Sequence, residues 1–169
     1  MALYMLINGA APGAAAPVAV TTGTAIKTLL QVKPSATIVA KVVEWGISFD
    51  GAAAATPIKV ELVETSGAAT VTAAAAADIT KMDGNALAGG DPTTNLIQVG
   101  TTSTGYTASG EGTPGTCRIF DLQFIAPTNQ YVKQYPLGRE PIVQVNTFLR
   151  LRVTAGAAVN AYCYVIIEV

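Results

Sequence analysis

The sequence predicts an all-β protein: a single antiparallel β-sandwich, jelly-roll-like, with an extended N-terminal arm. Three observations carry this expectation. Apolar residues recur with period two along most of residues 25–169, which is the repeat of a strand. Short alternating runs are separated by clusters of Gly, Pro, Asn and Asp, the layout of sandwiches and jelly rolls. A length of 169 residues is enough to bury one core without disulfides or metals.

Residues 1–24 hold no charged side chain and consist largely of Ala, Gly, Pro and Thr. Pro12, Gly13 and Pro17 forbid a continuous helix there, so the segment is expected to be an arm lying on a neighbouring subunit, ahead of a sandwich domain at 25–169. The first strand is expected at 26–32. In 38–49, Val43, Trp45, Ile47 and Phe49 share one face, with Glu44, Gly46 and Ser48 on the other. Asp50-Gly51 then supplies turn chemistry. Pro57 precedes a strand in which Ile58, Val60 and Leu62 alternate with Lys59 and Glu61. Thr72 to Met82 offers a short helix through its five consecutive alanines, with Thr72 as cap and Gly84 as stop. Val71, Thr72, Ile79 and Thr80 favour extended structure, however, and the segment reads as a long connection with a strand-like piece. Residues 83–116, rich in Gly, Thr, Ser and Asp, read as loops around a short strand at 96–99. A further strand spans 118–125, with Phe120, Leu122 and Phe124 facing opposite to Asp121 and Gln123. A short one follows at 142–145.

At the C-terminal end, 148–154 and 160–169 flank the run Ala155-Gly156-Ala157-Ala158-Val159 and read as a hairpin. With Arg152 opposite Tyr162, Leu149, Leu151, Val153, Ala161, Cys163 and Val165 share one face. Arg150, Arg152, Thr154, Tyr162, Tyr164 and Ile166 share the other, where cation–π contacts are expected across the strands. Arg and Tyr are favoured in interface hot spots. The candidate contact residues are therefore Arg150, Arg152, Tyr162, Tyr164 and Ile166, joined by Pro12, Pro17, Val18 and Val20 of the arm.

Composition narrows the function classes. Charged residues make up 12% of the chain, against about 25% in typical soluble domains. So little charge suits a surface that is partly covered in an assembly. Ten basic and eleven acidic residues give a net charge of -1 without blocks, so no footprint for nucleic acid or anionic lipid is present. The longest apolar run, 161–167, is far shorter than the roughly 20 residues of a membrane-spanning helix. No secretory layout precedes Lys27, and folding in a cytoplasm is expected. Cys117 and Cys163 lie in strand-like runs and are expected to be small buried hydrophobes, with a disulfide left open.

The chain contains no histidine, which removes the commonest general base, the Ser-His and Cys-His pairs and every His-based metal site. Two isolated cysteines do not make a four-ligand zinc site. Glu61 with Glu64 and Asp78 with Asp83 are formal carboxylate pairs, but their positions read as solvated surface charges. Asp83-Gly84-Asn85 with Asp91 lacks the spacing and trailing Glu of a calcium loop. Gly89-Gly90 and the glycines at 105–115 lack the Gly-Lys-Ser/Thr of a phosphate loop and serve turns instead. No catalytic residue, metal, cofactor or small-molecule substrate is expected.

The stretch Tyr135-Pro136-Leu137-Gly138-Arg139-Glu140-Pro141-Ile142-Val143 leads into Leu149-Arg150-Leu151-Arg152-Val153-Thr154-Ala155, and then into Asn160-Ala161-Tyr162 and the run ending in Glu168. Together with Trp45-Gly46-Ile47-Ser48-Phe49-Asp50-Gly51 and Ile58-Lys59-Val60-Glu61-Leu62, it resembles small virion proteins of tailed bacteriophages over roughly residues 40–169. The resemblance implies a capsid decoration (cement) protein. Such a protein would be a homotrimer on the outer capsid surface that binds the major capsid protein and bridges its neighbouring copies. A head-fibre or tail-associated position, or a carbohydrate-binding adhesin with Trp45 or the set Tyr106, Tyr131 and Tyr135 as sugar platform, is the competing expectation.

Overall fold

A computed structural model describes residues 2–13, 17–52, 55–82 and 96–169. The calcium-like residues Asp83, Gly84, Asn85 and Asp91, and the pair Gly89-Gly90, lie outside them. The described residues form thirteen strands in chain order: β1 Leu3–Ile7, β2 Val20–Thr21, β3 Lys27–Val32, β4 Ala40–Phe49, β5 Ile58–Thr65, β6 Thr70–Ala73, β7 Ile79–Lys81, β8 Gly105–Gly110, β9 Cys117–Ile125, β10 Gln130–Gln134, β11 Ile142–Val143, β12 Phe148–Thr154 and β13 Asn160–Glu168. Two antiparallel sheets pack face to face. One runs β10-β4-β13-β1-β7, with β11 also on β4 and β2 also on β13; the other runs β6-β8-β3-β12-β5-β9.

Eight of these strands make up the two central layers. Numbered one to eight along the chain (β1, β3, β4, β5, β9, β10, β12, β13), they pair one with eight, two with seven, three with six and four with five. The chain is thus one long antiparallel ribbon folded over on itself into two layers. β6, β7 and β8 are inserted between the fourth and fifth strands and widen both sheets at one side.

Alternation places the core between the layers. Tyr4, Leu6, Val42, Trp45, Ile47, Ala161, Cys163, Val165 and Ile167 face inward from the first sheet, and Leu30, Val32, Ile58, Val60, Leu62, Leu149, Leu151 and Val153 from the second; all are buried. Removing one such Leu side chain to Ala would cost about 2–5 kcal/mol. At the open side, where edge strands β9 and β10 approach, Asp121 closes the gap. Its carboxylate accepts the Tyr131 hydroxyl at 3.1 Å, pairs with Lys133 at 3.2 Å and takes the Leu122 N–H at 2.9 Å. The last bond occupies a donor on an edge strand, which blunts that edge against further pairing.

Several expectations are corrected here. β12 and β13 do not pair as a hairpin. β12 sits between β3 and β5, and β13 sits between β4 and β1, so residues 155–159 cross from one sheet to the other. The inward sets of the two strands do share one core, but they meet across the gap of about 10 Å between layers. Residues 3–7 are an interior strand carrying buried Tyr4 and Leu6, so they are part of the sandwich and no boundary falls at 24/25.

In β4 a register shift opposite Ile166/Ile167 turns Val42 into the core in place of Val43. In β9 the apolar side chains Leu122 and Phe124 point to solvent while Asp121 is buried. Residues 97 and 99 make only isolated bridges, whereas 105–110, expected as loop, is strand β8, and β10 was not foreseen. Cys163 is buried as expected, but Cys117 is exposed, and both are free thiols.

Candidate interaction surfaces

On the outer face of the first sheet, the register lines up Ile7, Tyr164, Gly46 and Val132 in one row, and Tyr162, Ser48 and Gln130 in the next. Gly46 is there for space: a Cβ on it would lie 2.5 Å from Tyr164 Cε1. The Tyr164 ring therefore lies flat over the glycine and donates its hydroxyl to Glu44 Oε1 at 2.5 Å. Burial first, and then the hydrogen bond to and charge of Glu44, push this phenol up to about 12, so it stays neutral and donating.

A wall rises beside this floor. β1 and β2 flank the same strand, β13, but between them the chain leaves the sheet at Asn8 and returns at Val20. The excursion carries Pro12, Pro17 and Val18, all exposed. It is tied down by Ala11 N–H to Asp78 Oδ1 at 2.7 Å and by the Tyr162 hydroxyl, which donates to the Pro17 carbonyl. Asp78 in turn accepts Ala75 N–H at 2.8 Å. Between wall and floor lies an apolar groove of about 660 Å³ lined by Met5, Ile7, Pro12, Pro17, Val132, Tyr162 and Tyr164 among others. A smaller concavity of about 370 Å³, reaching Tyr106 and Val20, adjoins it under the excursion.

The opposite face of the molecule is different. Arg150 is fully buried beneath the connection between β8 and β9. It donates from Nε and Nη2 to Thr28 Oγ1 at 3.0 and 2.8 Å and pairs with the Glu111 carboxylate. Burial lowers the Arg150 pKa, an effect the Glu111 charge opposes. Arg152 pairs with Glu61 at 2.9 Å, which also holds Lys59 at 2.8 Å. Beyond this ionic strip, β9 presents an apolar stripe: Ile119 is 59% exposed, Leu122 43% and Phe124 72%.

The expected constellation is therefore split. Tyr162, Tyr164, Pro12 and Pro17 converge on one groove, Ile166 lies on the same face beside Glu44 and Met5, Val18 belongs to the excursion, and Val20 opens β2 at its end. Arg150 and Arg152 lie on the other sheet, so the expected cation–π contacts with the tyrosines do not form. Glu61 and Glu64 are buried and ion-paired, with Arg152 and Arg118 respectively, rather than solvated. Trp45 is a core residue whose ring lies 5.1 Å from that of Tyr131, and Tyr106 lies apart on the excursion side, so no shared sugar platform exists. Among the described residues no group of three or more His, Cys, Asp or Glu is placed to hold a metal.

Sequence reasoning missed Met5, Ile7 and Val132 as parts of the groove. The glycine inside strand β4 was the available signal, since an isolated strand Gly often marks close approach of another group. Comparisons of the chain with protein-family models, with curated proteins and with solved structures give no match.

Proposed function

We propose that this chain is a non-enzymatic structural protein of a virus particle, a capsid decoration (cement) protein that bridges neighbouring capsid subunits on the outer head. The major capsid protein and further copies of the chain are its partners. The observation that carries this reading is the presence of apolar contact surfaces on opposite faces of one slab: the tyrosine-lined groove on the first sheet and the Ile119–Leu122–Phe124 stripe on the second. A bridging element needs two such faces held at a fixed separation, and a core packed between two sheets supplies that rigidity. The wrapped-ribbon strand order supports a jelly-roll reading of the sandwich, an architecture used by viral capsid and lectin domains. Exposed apolar patches on a charge-poor surface mark contact sites.

Copy number per purified particle, measured by quantitative mass spectrometry, tests the proposal. A fixed stoichiometry matching the symmetry of the head is expected, with loss of Phe124→Asp protein from the particle. Absence from particles, or turnover of a small molecule by the isolated chain, would overturn it. A carbohydrate-binding adhesin on a fibre or tail is the second reading, favoured by Tyr162 standing 41% exposed beside Ser48 and Gln130. Glycan-dependent quenching of tyrosine fluorescence would select it.

A further inference from the structure

The most exposed large apolar side chain described is Leu137, at 97%. It sits at the tip of the turn joining β10 to β11, both of which are anchored on β4. Arg139 N–H donates to the Pro136 carbonyl at 2.9 Å, and Gly138 takes a φ of +82°. That is a type II turn with its glycine at the third position, where a positive φ is required. Gly138 N–H is held by Glu140 Oε2 at 2.7 Å. The turn is thus a preformed knob, ordered before it meets anything, which lowers the cost of association.

On the same molecule the groove offers the complementary chemistry. Asp78 is the charged side chain among its lining residues, and both its oxygens already accept backbone N–H groups. The Tyr162 and Tyr164 hydroxyls are engaged with Pro17 and Glu44. A group entering the groove would find mainly apolar surface, with Ser48, Thr80 and Gln130 as the further polar lining residues. A charged occupant would lose hydration with little replacement, whereas Leu and Pro side chains lose none.

We infer that copies of this chain associate head to tail, with the Pro136-Leu137 turn of one copy seated in the groove of the next. Leu137 cannot fill the groove of its own chain, because it stands fully in solvent. Knob and groove are distinct surfaces, so the contact is heterologous and closes into a ring when the rotation permits. The inference rests on reading the groove as a protein contact and names its occupant.

Sedimentation velocity of the full chain across concentration, with Leu137→Asp and Val132→Asp, tests it; both positions are exposed, and thermal melts check that each variant folds. Wild type should associate, and each variant should do so at least tenfold more weakly. Mixing the two variants should yield a heterodimer and nothing larger, since the mixture holds one intact knob facing one intact groove. Thr102→Asp, at an exposed turn position outside both contact surfaces, should leave self-association unchanged. Wild-type mass retained by Leu137→Asp would overturn the inference, as would a monomeric wild type. A monomer found at fixed copy number on particles would overturn this inference alone; a ring absent from particles would overturn the proposed function alone.

Discussion

The side-chain amide of Asn8 continues the β-ladder beside Cys163 where the main chain departs. Its Oδ1 accepts Cys163 N–H at 2.9 Å, its Nδ2 donates to the Ala161 carbonyl at 3.0 Å, and its own N–H donates to the Cys163 carbonyl at 3.0 Å. One residue thus imitates an extra strand position and lets the chain leave the sheet after Asn8 without orphaning β13.

Asn8→Ala should therefore destabilise the fold more than its small size suggests. Two buried backbone groups lose partners, at about 1–3 kcal/mol each. The melting temperature should fall by about 2–4 °C for every kcal/mol lost. Thermal unfolding by circular dichroism measures this, and an unchanged melt would mean that water replaces the amide.

Glu111 is held by Thr28 N–H at 2.5 Å, by Thr28 Oγ1 at 2.7 Å and by Arg150. Glu111→Ala would strand a fully buried guanidinium, and loss of one partner from such a pair costs about 3–5 kcal/mol. Glu111 itself is partly exposed, so the lower end applies. The double variant Glu111→Ala with Arg150→Met should be more stable than the sum of the single effects implies, by at least about 1 kcal/mol in a double-mutant cycle under urea.

Gly46→Ala should evict the Tyr164 ring from its seat. The ring would then swing into the groove and lose Glu44, at a cost of about 1–3 kcal/mol. Tyrosine absorbance titration should show one phenol returning toward its ordinary pKa, and self-association should weaken together with it.

Alkaline stability has a defined window. Tyr131 and Tyr135 are pushed up to about 12 by burial and then by the Asp121 charge, and Tyr164 to about 12 by burial and Glu44. Phenols whose folded pKa is raised contribute stability that is fully present below the unfolded value near 10 and is lost as pH rises through about 12. Urea midpoints should hold steady to about pH 9 as far as these groups are concerned and then fall between about pH 10 and 12. Phe substituted for Tyr131 should make that fall shallower.

Much of the fold was legible in the residues themselves. Residues 26–32 were expected as a strand, and alternation in 58–62 and 148–154 marked strands and their inward faces, because a half-buried strand must show period two whatever it pairs with. Strand identity and fold class followed. β8 and β10 escaped because Gly105–Gly110 and Gln130–Gln134 carry too few apolar residues to register against their polar neighbours; their pairing partners, β3 and β4, make them strands.

What the sequence by itself determined is which side chains look inward along 58–62, 148–154 and 160–167, where the alternation is unbroken, and that charge is scarce. In 40–49 and 117–125 bulges moved the inward set. Which strands are neighbours was decided only by the tertiary structure. Leu151 and Cys163 look alike in pattern whether they lie side by side in a hairpin or face each other across two sheets, since alternation records the face of a strand and carries no record of its partner. That one ambiguity sent Arg150 and Tyr162 to opposite sides of the molecule, and it placed Tyr162 with Pro12 and Pro17 at the groove, a grouping formed by residues from the two ends of the sequence.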